Sequence, residues 1–287
     1  MADSSRIDGP LRKRLRSSTK FYVMRLPAEL RLMILEAITQ LTYPDWASAT
    51  AVCREWQHFI EKRKFRRLRL KVPGLDGLER LGIRRRNLVR HISLDIEIPA
   101  YTCRLCKRDE SESWAQRNSS IISKGIWRLF SILSTWKPAN GLTLELNAFS
   151  PSDSEHWFKN YHFVSDVECG PGNDCEWHDE SHGWVNGQQV ETPPPSSILR
   201  LFEMVLLLFP KELPRVNAVT CFIIRRQFRR CLFPHSLSVI LKKLCCLERL
   251  IYEPWRAWDS NSEKFNDHRM YRYHVTHNTF EPLRSGY

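Results

Sequence analysis

Cys103 and Cys106 form a C-x-x-C pair, and their spacing suits chemistry better than that of any other thiols in this chain. Two thiolates so placed can clasp one side of a zinc ion, which makes half of a tetrahedral site. Candidates for the other half are Cys169, Cys175, His178 and His182, where Cys175-x-x-His178-x-x-x-His182 has ligand-like spacing. One expectation is therefore zinc held by Cys103, Cys106, Cys175 and His178. The other is a set of reduced, partly buried thiols in loops. A thioredoxin-like redox role is disfavoured, because the pair does not open a helix at a strand end. Cys221, Cys231, Cys245 and Cys246 lie in apolar stretches and are expected in the core. The sequence contains no G-x-S-x-G elbow, Walker loop or H-E-x-x-H helix, and the expectation is a protein without catalysis of its own.

The elements that must position these residues show two rhythms. Period-2 alternation or short apolar runs predict strands over 67–72, 91–98, 142–149, 216–224 and 247–252. Helical spacing predicts helices over 75–86, 119–136, 196–209 and 234–246, with Ile122, Ile126, Leu129, Phe130 and Leu133 as the clearest stripe. Strand–helix alternation implies parallel strands joined by crossovers. No glycine-rich loop follows any strand, which disfavours a nucleotide-binding sheet. Residues 150–196 form an acidic insertion with nine Asp and Glu against Lys159 alone, ending in Pro193-Pro194-Pro195. Within it, Asn186-Gly187 between Trp184-Val185 and Gln188-Gln189-Val190 predicts a hairpin. Such an excursion is a candidate recognition loop, or else a cap on the sheet edge. From Trp255 to Tyr287 periodicity is weak and no capping element is obvious, so either the cap is irregular or the chain stops early.

Before the first strand lies a different kind of segment. Leu26-Pro27 starts a helix, with Pro27 at a position that tolerates a missing N–H and Glu29 favourably placed in the first turn. Leu30, Ile34, Ile38 and Leu41 fall on one side of that helix, and Leu32 and Leu35 on another. Tyr43-Pro44 ends it. A short second helix is expected from Asp45 and a third over 51–65, with Val52, Trp56, Phe59 and Ile60 inward. Three short helices bury too little surface to stand alone easily. Leu26, Pro27, Glu29, Ile34, Leu35, Val52, Cys53 and Trp56 together resemble the F-box pattern. The chain departs from that pattern before Val52, where Trp46, Ala47, Ala49 and Ala51 replace leucine-rich positions.

The resemblance implies an F-box over residues 21–70 that docks on the Skp-type adaptor of a cullin ubiquitin ligase. Leu26, Pro27, Leu30, Ile34, Leu35, Val52, Cys53 and Trp56 would form the contact or the core beneath it. Residues 71–287 would then recognise a target protein. F-box proteins often carry leucine-rich repeats, and this region resembles an irregular, degenerate version of them. The fold expectation is thus mixed, α+β or α/β: an N-terminal three-helix F-box, then an irregular strand–helix solenoid, which is favoured over a closed or doubly wound α/β sheet. A non-ligase scaffold is the alternative, and a zinc-stabilised nucleic-acid-binding protein is less favoured.

Charge is placed unevenly. Residues 1–90 hold 21 Lys and Arg against 9 Asp and Glu, so the whole excess of +12 lies there. A basic segment can steer toward an acidic partner, as the family's adaptor is, or toward nucleic acid. Residues 1–20 are polar and charged and are expected to be disordered. They lack the apolar core of a secretory signal, and the longest apolar run, 204–209, is too short to span a bilayer. The expected setting is the cytosol or nucleus, with no membrane partner.

Overall fold

The fold is seen in a computed structural model that describes residues 26–40, 48, 50–137, 141–158, 182–185, 188–202, 204–226, 228–253, 271–276 and 279–282. The expected leader, most of the acidic insertion and most of the helix expected from Asp45 lie outside these residues; of that helix, Ser48 and Thr50 are described, and both are helical. The chain divides into two compact units, residues 1–66 and 67–287.

The first unit contains α1 (Ala28–Gln40) and α2 (Arg54–Arg66). Pro27 precedes α1 and its carbonyl accepts from Arg31 N, while Glu29 occupies the first turn. The helix expected over 51–65 begins later, at Arg54, where Gln57 N first reaches back to Cys53 O. Leu35, Trp56 and Ile60 make the core, and Ile38, Val52, Cys53 and Phe59 pack around them. Arg31 joins the two helices: its guanidinium donates to Leu26 O at 2.9 Å and pairs with Glu55 at 3.1 Å.

The second unit is a mostly parallel α/β arrangement. In chain order it holds β1 (Arg67–Lys71), α3 (Leu75–Glu79), α4 (Ile83–Arg86), β2 (His91–Glu97), α5 (Glu112–Leu133) and β3 (Leu142–Phe149). Then come β4 (Trp184–Val185), β5 (Gln188–Gln189), α6 (Pro195–Phe202), β6 (Met204–Val205), β7 (Val219–Ile224) and β8 (Cys231–Leu232). The last elements are α7 (Pro234–Leu241), β9 (Arg249–Tyr252), β10 (Tyr271–Thr276) and β11 (Thr279–Pro282). One seven-stranded sheet runs β1-β2-β3-β7-β9-β10-β11. Its first five strands are parallel and follow one another in chain order; β10 and β11 add antiparallel at the end.

Register turns alternation into two unlike faces. Leu68, Ile92, Leu144, Phe222 and Leu250 stand side by side across the five parallel strands, as do Leu70, Leu94, Leu146, Ile224 and Tyr252. Helix α5 packs on this apolar face at β2, burying Ile122, Ile126, Leu129, Phe130 and Leu133. Gly125 is the point of closest approach: a Cβ there would lie 3.2 Å from Val72 and 3.3 Å from Ile96. The opposite face carries Arg67, His91 and Thr143 in one row and Arg69, Ser93 and Glu145 in the next.

Several expectations need correction. The helix expected over 196–209 stops at Phe202, and Met204 and Val205 pair with Cys231 and Leu232 instead. A short apolar run has no periodicity to separate the two states. Helix α7 stops at Leu241, so Cys245 and Cys246 emerge on an exposed turn, whereas Cys221 is buried. β10 and β11 form where weak periodicity gave no element; Tyr271-Arg272-Tyr273-His274-Val275-Thr276 is rich in aromatic and β-branched residues, which favour a pleated edge. No described helix is long and apolar enough to cross a membrane.

Candidate metal centre and docking surfaces

β2 and β3 end side by side, with Glu97 paired to Phe149. The segments that leave these ends carry the chemistry. After β2 the chain turns twice, with Leu105 N bonded to Thr102 O and Arg108 N to Leu105 O, and these turns hold Cys103 and Cys106. After β3 a 3-10 turn begins under a capping box of Ser150 and Asp153. Ser152 stitches the two segments together: its hydroxyl donates to Tyr101 O at 2.9 Å and accepts from Tyr101 N at 3.1 Å. His156 follows that turn. A third segment enters at His182, which opens the β4–β5 hairpin.

Cys103, Cys106, His156 and His182 converge so that one donor atom from each lies within 4.8 Å of every other. Cys103 Sγ sits 3.1 Å from His182 Nε2. The rings of His156 and His182 are 4.8 Å apart, and Trp157 meets His182 edge-on at 5.4 Å. Cys106 is buried among Tyr101, Trp157, Phe158 and Leu201, while Cys103 is exposed. Burial, and then the neighbouring Cys103, raise the Cys106 thiol above its ordinary range.

The surroundings are over-determined. Arg200 donates to Leu105 O at 2.9 Å and Arg108 O at 2.7 Å, and its guanidinium lies 4.9 Å above the Tyr101 ring. Ser197 donates to Cys106 O. Gln189 donates to Trp157 O at 3.0 Å, tying the hairpin to the segment after β3. Asp153, itself buried, pairs with Arg230 at 3.3 Å, and Arg229 donates to its carbonyl at 2.6 Å. His182 has φ 75, the one positive value among the described non-glycine residues. Gly183 follows at φ +69, and a Cβ there would fall 2.5 Å from Glu191 Cβ.

Two thiols and two imidazoles fit a closed site for a borderline-soft ion. Cys103 and Cys106 are the expected half. Of the expected second half, Cys175 and His178 lie outside the described residues, and the described cluster is completed by His182 and His156. His156 carries no spacing motif. Its signal was topological: it lies seven residues past Phe149, as Cys103 lies six past Glu97, so parallel pairing of β2 and β3 sends both to one edge.

The residues of the F-box-like pattern separate into two groups. Leu35 and Trp56 are buried, and Leu26, Val52 and Cys53 are partly covered. Pro27 is exposed, as are Leu30 at 45%, Met33 at 64% and Ile34 at 37%. With exposed Ala37, these last three form an i, i+3, i+4, i+7 stripe, so of the side expected to carry Leu30, Ile34 and Ile38 only Ile38 is packed against the core. The inward residues are Leu35 and Ile38, which lie toward Trp56 and Ile60, whereas Leu32, expected beside Leu35, is 45% exposed.

The polar face of the sheet is the third surface. Arg69 pairs with Asp95 at 2.6 Å, Lys71 with Glu97 at 2.9 Å and His91 with Glu145 at 2.9 Å. Burial alone would raise the pKa of Glu145, but the His91 hydrogen bond and the Arg225 charge bring it below its ordinary value. Parallel sheets are usually covered on both faces by apolar contacts. Here β1, β2 and β3 present partly exposed charged and hydroxyl side chains on this face, while Asp95, Cys221 and Ile223 on the same face are buried. Comparison with known proteins finds no matching family model, no similar curated protein and no solved structure with a matching fold.

Proposed function

We propose that the chain is a non-catalytic, target-recognising subunit of a cullin ubiquitin ligase, attached to the Skp-type adaptor through an F-box in residues 26–66. The observation that carries this reading is the exposed stripe of Leu30, Met33 and Ile34 above the small core of Leu35, Trp56 and Ile60. A helix that buries Leu35 and leaves Leu30, Leu32, Met33 and Ile34 open is suited to complete itself on a partner. The basic excess in residues 1–90 complements an acidic adaptor. The second unit would be the target-binding part, a degenerate leucine-rich-repeat-like solenoid. Five parallel strands laid down in chain order, with one polar face half open, support that assignment. Zinc enters as an architectural ion of this unit, not as a reaction centre. The subunit would act by proximity, raising the effective concentration of a target lysine near the conjugating enzyme.

The test is retention of adaptor and cullin by the immobilised chain. Wild type should retain both, and Leu30→Ala with Met33→Ala should reduce retention by about tenfold or more, the scale of lost hot-spot contacts. A wild-type chain that retains neither ends the proposal. Retention of the adaptor without the cullin would favour a non-ligase F-box scaffold.

A further inference from the structure

We infer that Cys103, Cys106, His156 and His182 bind one zinc ion, and that this ion staples three separate chain segments: the turns after β2, the segment after β3 and the entry to the β4–β5 hairpin. The inference deepens the architectural role given to zinc in the proposed function, but it does not depend on the ligase.

Distance is the first ground. Tetrahedral zinc with Zn–S near 2.3 Å and Zn–N near 2.0–2.1 Å sets its ligand atoms about 3.4–3.8 Å apart. The four donors here are already within 4.8 Å of one another. The Cys103–His182 pair, at 3.1 Å, must open slightly, and the widest pair must close by about 1 Å. Side-chain torsions can supply both movements. Donor chemistry is the second ground. A set of two sulfurs and two ring nitrogens, without a carboxylate, selects zinc over calcium or magnesium. Cys106 also donates to Cys103 O at 3.0 Å and His156 packs on the Tyr101 ring at 5.4 Å, so it is the convergence of all four donors within one ion's reach that points to a metal.

The third ground is backbone cost. His182 sits in the left-handed region, which a non-glycine residue adopts only when its surroundings impose it. That conformation holds its ring against Cys103, His156 and Trp157. Gly183 then lets the chain pass Glu191, where a Cβ could not fit. Binding replaces two S–H bonds with two Zn–S bonds, and two protons pass to solvent; nothing is oxidised or reduced. With Cys103 exposed and Cys106 buried, the ion has an entrance on one side and a dry wall on the other.

The full chain, purified under reducing conditions, is the material for the test. Elemental analysis should give one zinc per chain. Cobalt(II) in its place should give the intense visible bands of a tetrahedral ion and a near-ultraviolet thiolate-to-cobalt band. These readouts use the wild-type chain and do not depend on a variant folding. His156→Ala should abolish the tetrahedral spectrum, whereas Cys175→Ser with His178→Ala should leave it unchanged. Hydrogen exchange at residues 182–191 and 101–108 should slow at least tenfold on adding zinc. Absence of zinc and of the cobalt spectrum in wild type overturns the site. A spectrum that survives His156→Ala and is lost with Cys175→Ser and His178→Ala overturns the ligand set. Stoichiometric zinc without slowed exchange overturns the staple while leaving zinc in the unit. Adaptor retention should be unaffected by chelation, so failure of the ligase reading shows only in the retention assay.

Discussion

Glu145 is where single-residue electrostatics set a measurable property of the fold. Its carboxylate is held by His91 at 2.9 Å and lies 3.4 Å from Arg225, on the half-open face of the sheet. Burial opposes the charge, yet the partners win and its pKa falls below the ordinary value of 4.5. A carboxylate with a lowered folded pKa binds its proton more readily when unfolded. Its contribution is therefore complete above the unfolded pKa and is lost as pH falls through the lower folded value. Glu145→Gln should lower stability at neutral pH and flatten the acid side of the stability–pH curve. Chemical denaturation at pH 7 and at several points below pH 4.5 checks this; a slope equal to wild type would show that the cluster contributes nothing. Residue identity alone did not reveal this cluster. It needs the register that sets His91 beside Thr143 and brings the next row of β3 into reach.

At the scale of elements, the apolar residues of α1 have different fates. Leu35 is fully buried against Trp56 and Ile60, whereas Met33 is 64% exposed. Leu35→Ala should destabilise the first unit by roughly 2–5 kcal/mol, the range for truncating a buried leucine. Met33→Ala should stay within about 0.5 kcal/mol of wild type, as surface substitutions do. Denaturant melts of the two variants make the comparison, and equal losses would mean that the exposed stripe is covered within the chain. The sequence made the strands legible: β1, β2 and β3 lie within the predicted ranges, because alternation marks a half-buried strand strongly. It could not say which apolar residues of α1 turn inward, because Leu32 stays exposed beside buried Leu35, and Leu30 and Ile34 beside packed Ile38; only the partners across the core decide. The C-x-x-C half of the Cys–His cluster was equally legible. His156 was not, because its place depends on which strands neighbour each other.

Across the whole molecule, charge and topology are distributed in opposite senses. The excess of +12 lies within residues 1–90, and the remaining chain is balanced at 23 against 23. Under the proposed docking on an acidic adaptor, association should slow as salt rises, because steering acts over roughly 8–10 Å at physiological ionic strength. Stopped-flow association rates at 50 mM and 500 mM salt should differ by about tenfold or more, and a flat response would detach the basic segment from docking. Topology shows no such concentration. The five parallel strands occupy the sheet in the order in which they occur in the chain. A ribosome releases them in that same order. β2 emerges to find β1 already available as its neighbour, β3 finds β2, and β7 finds β3. No strand of this series has to be inserted between two that are already paired. Each newly made segment needs only the open edge left by the one before it, so the sheet can grow as fast as the chain is synthesised.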